Sequence, residues 1–171
     1  MQDIYDPKFV EHLFDKMRGS YARMNYITSF GFSERWRRQF VEEIKIEKGD
    51  VVVDLMTGMG ECWKYLLRKE QVSMLIGLDF SAEMIDGANQ RKAKYSEENI
   101  QVLKESVFSN TIQSNSADVV VSGFGLKTFN EEQLRQLAKE IKRMLKRGGH
   151  FSLIDVSVPS NRWLKAFYMF Y

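Results

Sequence analysis

Cysteine is nearly absent: Cys62 stands alone among 171 residues, which excludes an internal disulfide and fits a reducing compartment. No apolar run reaches the ~18–20 residues of a membrane span, and the start lacks the apolar core of a secretory signal. The expectation is a cytoplasmic protein, with peripheral attachment to a membrane left open. Histidine is equally scarce. His12 and His150 are far apart and no acid or thiol stands near either at ligand spacing, so no metal site is expected. A formal net charge of +2 gives no reason to expect nucleic acid as a partner. Only two prolines interrupt the chain, and repeats and low-complexity tracts are missing.

What is present describes one soluble domain with enough apolar residues (44%) to bury a core. Strands and helices alternate along it. Val51 to Leu55 reads as a strand apolar on both faces, Glu61 to Arg68 as a helix, and Met74 to Leu78 as a second strand. A helix capped by Ser81 buries Met84, Ile85 and Ala88, and a weaker strand spans Ile100 to Leu103. Asp118 to Ser122 is a continuous apolar strand. Asn130 and Gln133 form a capping box before a stripe of Leu134, Leu137, Ile141, Met144 and Leu145. Gly148-Gly149 is expected to end that helix, with His150 to Val156 as the fifth strand. Upstream, Ser33 is placed as the cap of a helix burying Trp36, Phe40, Val41 and Ile44. This alternation predicts a doubly wound α/β fold with a mostly parallel sheet. Ligands then belong outside the carboxyl ends of the strands.

The unusual residues lie there. Asp54-Leu55-Met56-Thr57-Gly58-Met59-Gly60-Glu61 carries two glycines that let backbone approach a ligand, followed by helix N–H groups. It could be half of a dinucleotide fingerprint. Trp63, however, occupies the third glycine position, and Asp54 repels phosphate. A cationic ligand without phosphate suits it better. S-adenosylmethionine, with its ammonium and sulfonium, fits. Asp79 ends the second strand 19 residues beyond Gly60 and can accept both ribose hydroxyls, with Phe80 against the adenine. Its plainer role is to cap the next helix, which Ser81 does better. Cys62 at a helix start could have a lowered pKa, although packing is the simpler role. The basic cluster Lys16, Arg18, Arg23, Arg35, Arg37 and Arg38 is either a solvated face or a surface for anionic lipid or substrate.

Phe14-Asp15, Tyr21, Met24-Asn25, Ser29-Phe30-Gly31 and Trp36-Arg37-Arg38 resemble the N-terminal signature of the ubiquinone/menaquinone biosynthesis C-methyltransferases. The similarity continues through Asp54 to Glu61, Gly77 to Ser81 and Gly123-Phe124-Gly125-Leu126. It implies a class I S-adenosyl-L-methionine-dependent methyltransferase with a Rossmann-like sheet of strand order 3-2-1-4-5. It also implies a helical lid over residues 1–46 and a cofactor domain over 47–171. Two further strands of the family are missing from this sequence. The aromatic run from Trp163 to Tyr171 stops in mid-pattern, so C-terminal truncation is expected.

The cofactor set then comprises Asp54, Thr57, Gly58, Met59, Gly60, Asp79, Phe80, Ser81, Met84, Glu105, Ser106, Val107, Ser122 and Gly123. The acid that would receive the adenine amino group falls on Ser106, with Glu105 beside it. Lys127 and Thr128 replace an arginine-asparagine pair implicated in activating the substrate hydroxyl, and lysine keeps the charge without the fork. With Tyr21, they are the candidate catalytic residues. Tyr21 is followed by Ala22 where the family has aspartate. The implied reaction methylates a ring carbon of a polyprenylated quinol precursor, with a homodimer as an open assembly. The alternatives are another small or lipidic acceptor and a non-catalytic cofactor-binding protein. A nicotinamide-dependent oxidoreductase is disfavoured by Asp54 and Trp63.

Overall fold

Val51, Val52 and Val53 are β-branched and flanked by a turn, so they extend rather than coil. In the computed structural model, which describes residues 32–69, 72–95 and 99–156, they form the centre of β1 (Asp50–Leu55). The other strands are β2 (Val72–Asp79), β3 (Ile100–Lys104), β4 (Ala117–Gly123) and β5 (Leu145–Ile154). They hydrogen-bond in the order β3-β2-β1-β4-β5, and all four pairings are parallel. This is the expected topology. Strand order reverses between β1 and β4, which opens a crevice at their carboxyl ends.

Both faces are covered. On one, Val52, Leu75, Val119 and Val121 pack with Phe40, Val41, Trp63, Leu66 and Ala88 from α1 (Phe32–Glu42), α2 (Trp63–Leu66) and α3 (Ala82–Lys92). On the other, Val53, Leu55, Leu78 and Val120 meet Leu137, Ile141 and Met144 of α4 (Glu131–Met144). Each such side chain contributes roughly 1.5–3 kcal/mol by leaving water. Phe40, Val41, Ile44 and Ile46 sit in the sheet's own core, so the described part of the expected lid is built into the domain.

Local signals hold where they are strongest. Ser81 Oγ accepts from the Met84 N–H at 3.2 Å. Asn130 and Gln133 exchange two 2.9 Å bonds in the expected capping box. Four expectations are corrected. Ser33 lies inside the first turn of α1, and Trp36 remains 39% exposed, its ring beside those of Phe32 and Phe124 rather than in the core. The helix expected over Glu61 to Arg68 is a single α turn followed by a 3-10 turn, Leu67–Lys69. Gly148-Gly149 does not end α4, which stops at Met144. The glycines sit instead within β5, where the register against β4 shifts between Ala117 and Val119. Gly148 takes φ +86°, a conformation that favours glycine, and a Cβ on Gly149 would lie 2.9 Å from the Asp118 carbonyl, so close strand approach needs glycine there.

Candidate functional site

The chain leaves β1 through Met56, itself left-handed at φ 53°, and turns through Gly58 (58°) and Gly60 (75°). A bulky residue at positive φ is strained, and such strain collects at ligand sites. Phe124, just past β4, shares the feature at φ 67° on the opposite wall. The turn is held by side chains that a phosphate loop would not use. Trp63 is fully buried, and its indole N–H donates to Thr57 Oγ1 at 2.8 Å and Asp54 Oδ2 at 3.1 Å. Its ring occupies space that two glycines leave open. A Cβ at Gly60 would fall 2.6 Å from the ring, and one at Gly77 on β2 2.5 Å from it. The bulk at the third glycine position is thus seated by a glycine on the neighbouring strand.

Three carboxylates converge on this loop. Asp54, 2% exposed, also accepts from the Thr57 hydroxyl at 2.6 Å; burial pushes its pKa up to about 7 against those hydrogen bonds. Asp79 accepts from the Gly58 N–H at 2.9 Å and the Ser81 N–H at 3.1 Å, and burial raises it to about 6. Glu61 Oε2 accepts from the Met59 N–H at 3.1 Å, while its Oε1 is buried without a hydrogen-bond partner. Burying acids this way is costly unless a cation joins them.

The crevice is lined by Arg37, Asp54, Met56, Thr57, Gly58, Glu61, Cys62, Asp79, Phe80, Met84, Gly123, Phe124, Gly125, Thr128 and Phe129. It thus brings together Asp54, Thr57, Gly58, Asp79, Phe80, Met84, Gly123 and Thr128 of the expected set. Met59 points away and packs on α3, where a Cβ at Gly87 would meet its Cγ at 2.6 Å; its carbonyl accepts from Arg91 Nε. Gly60 and Ser81 support the loop from behind. Ser122 is fully buried with an unpaired Oγ. Glu105 is turned outward, both oxygens taken by Thr111, while Ser106 Oγ accepts from the Phe108 N–H and Val107 joins the core below. None of these three lines the crevice. Lys127 is exposed, with its backbone N–H bonded to Asp155, and Thr128 Oγ1 donates to the Gly125 carbonyl. Tyr21 and Ala22 lie outside the described residues.

Cys62 takes the packing role expected of it: it is 6% exposed within the core, and burial pushes its thiol well above the ordinary value, so it is no activated nucleophile. Arg37 departs from expectation. Arg35 and Arg38 of the basic cluster are exposed, but Arg37 is 8% exposed and lies against the Phe124 ring. Sequence reasoning missed Arg37 and Glu61 as site residues. For Glu61 a signal existed, an acid directly after the second glycine. For Arg37 none did, because three basic residues in four look like a solvated face.

A sheet of this order, an acid before a glycine turn and a second acid closing β2 define a Rossmann-like protein of the methyltransferase type. The chain belongs to the ubiE/COQ5 methyltransferase family, whose sequence profile matches residues 1–171. A demethylmenaquinone methyltransferase of Lactobacillus johnsonii is 32% identical over 160 residues, covering 92% of this chain and 65% of that one. One from Listeria monocytogenes is 30% identical over 88% of this chain and 63% of its own. This chain therefore spans just under two thirds of those relatives' length. The solved structure of an Aquifex aeolicus SAM-dependent methyltransferase superposes with a TM-score of 0.63 at 22% identity, covering 74% of this chain and 66% of that one. That is a likeness of fold.

Proposed function

We propose that the crevice binds S-adenosylmethionine and that the protein transfers its methyl group to a ring carbon of a quinol precursor of the demethylmenaquinol or ubiquinone type. The observation that carries this reading is the convergence of three carboxylates on the Gly58–Gly60 turn, Asp54 and Asp79 buried and Glu61 half-buried. Asp54, Glu61 and Asp79 oppose a pyrophosphate and compensate a ligand bearing positive charge. The donor set fits such a nucleoside. Asp79 keeps acceptor capacity for ribose hydroxyls beside its backbone donors Gly58, Phe80 and Ser81, and Phe80 and Met84 offer apolar surface to a base. The family and the names of the relatives support the quinol as acceptor.

When bound, S-adenosylmethionine supplies an electrophilic methyl group on a sulfonium. This chain's contribution is alignment and exclusion of water. Phe124 and Phe129 form an apolar wall across from the carboxylates, with the Thr128 hydroxyl at its edge. Holding the acceptor carbon in line at roughly 3–3.5 Å supplies much of the rate. Lys127 does not line the crevice but precedes Thr128, which does; in this reading it approaches a substrate hydroxyl from the solvent side and favours its ionised, more nucleophilic form. Among the described residues no helix is long and apolar enough to cross a membrane. A cytoplasmic location, a homodimer and contact with anionic lipid belong to the same proposal. The lipid contact is supported by exposed Phe32 (47%) and Trp36 (39%) beside exposed Arg35.

Calorimetry tests the reading. S-adenosylhomocysteine binds and NAD does not, and Asp79→Ala weakens the binding by about 1–3 kcal/mol. Affinity untouched by Asp79→Ala removes the ribose assignment, and preferential binding of NAD removes the function.

A further inference from the structure

Among the described residues the sheet ends in two edge strands, and the two are built differently. β3 shows solvent the polar side chains of Gln101 and Lys104, a common guard against pairing with another chain. β5 shows Phe151, which at 58% is the most exposed large apolar side chain of the described residues. Beside it, between α4 and β5, runs a groove of about 650 Å³. Leu134, Leu137, Ala138 and Ile141 form one wall, Phe151 and Leu153 the other. The groove shares no lining residue with the crevice. An apolar groove along an open strand edge favours a strand that can pair with the edge and fill the groove.

The charges along β5 select the occupant. The strand begins with Leu145, Lys146 and Arg147, and Asp155 follows its last residue. Lys146 is paired with Asp118, whereas Arg147 and Asp155 have no ion-pair partner among the described residues. The Asp155 carboxylate accepts only from backbone there, the N–H groups of Lys127 and Val156. A strand basic at one end and acidic at the other complements itself when two copies run antiparallel, because each basic end meets the other's acid. A parallel arrangement would set like charges together. β5 is irregular against β4 between Leu145 and His150, so the regular edge on offer is His150–Ile154, with Phe151 inside it.

We propose that β5 and the groove beside it form a self-complementary interface, through which two copies of this chain pair antiparallel and extend the sheet across a two-fold axis. The inference rests on the homodimer of the proposed function and gives it a surface. Each copy uses its β5 edge once, so the assembly closes at two. Phe151 of each copy leaves water against the other, and Arg147 of each meets Asp155 of the other. The carboxyl ends of the two sheets then face opposite ways, which keeps the two crevices apart.

Sedimentation velocity on the full 171-residue chain tests this, with S-adenosylhomocysteine calorimetry alongside. The unaltered chain should dimerise at micromolar concentration. Arg147→Asp and Asp155→Arg should each raise the dimer dissociation constant by about tenfold or more, and an equimolar mixture of the two variants should recover it to within about threefold. Phe151→Lys, at a side chain already in water, should also give monomers and serves if a charge variant fails to fold. A chain that stays monomeric, a dimer indifferent to these substitutions, or a mixture that recovers nothing would each overturn the proposal. A monomer that loses thermal stability on Phe151→Lys would give the groove to this chain's own residues and overturn it too. Failure of the unaltered chain to bind S-adenosylhomocysteine would instead remove the cofactor reading, a result separate from the state of the interface.

Discussion

Asp54 is held by Trp63 and Thr57, and Asp79 by the backbone of Gly58 and Ser81, so both acids organise the loop they face. Their pH behaviour follows from burial. Asp54 is raised to about 7 and Asp79 to about 6 from an ordinary value near 3.8. A raised carboxylate favours the folded state below its unfolded value, and that contribution is lost as pH climbs through the folded value. Without ligand, stability should therefore fall between about pH 4 and pH 7, as thermal melts across that range would record. A cationic ligand prefers the ionised acids, so the sign reverses for binding. S-adenosylmethionine affinity should rise from pH 5 to pH 7 with release of protons, measurable by calorimetry in buffers of different ionisation enthalpy. Affinity that falls over that interval would contradict it.

Among the elements, β1, its loop and β2 act as one unit around Trp63. Gly77 pairs with Asp54 in the parallel register, which puts the open space of the glycine directly beneath the indole. The ring cannot slide away cheaply, because its N–H is tied to Asp54 and Thr57. Gly77→Ala should therefore destabilise by about 1–3 kcal/mol through overpacking and weaken ligand binding at the same time. Denaturant titration with a parallel binding measurement checks both; a neutral substitution would mean that Trp63 has another seat. The sequence exposed half of this relation. Trp63 was legible as bulk at a glycine position, but nothing along the chain pairs residue 63 with residue 77.

At the scale of the whole molecule, β1 and β4 are central and bury Val52, Val53, Val120 and Val121 completely, while β3 and β5 lie at the edges. Central amides should exchange only through global opening and edge amides through local opening. Native-state hydrogen exchange should rank β1 and β4 slowest; β3 exchanging as slowly as β1 would oppose this. α1 belongs to the same body: its Phe40 and Val41 lie in the core that holds Trp63. The described portion of the expected lid is thus fixed to the sheet, and the crevice acquires Arg37 from it.

The strand order was implied by the family resemblance; the parallel sheet with both faces covered, the Ser81 cap and the Asn130–Gln133 box were readable in advance from the residues themselves. They depend on local periodicity, short-range capping and the handedness of crossovers, all properties of neighbours along the chain. Asp54, Gly58, Gly60 and Asp79 were readable for the same reason, since parallel topology carries strand ends to one edge. The outward turn of Glu105, the inward turn of Arg37, the seat of Trp63 and the glycine shift in β5 were decided only in three dimensions. Each depends on which distant side chain or strand competes for the same space, and such competition leaves no trace in the spacing of residues.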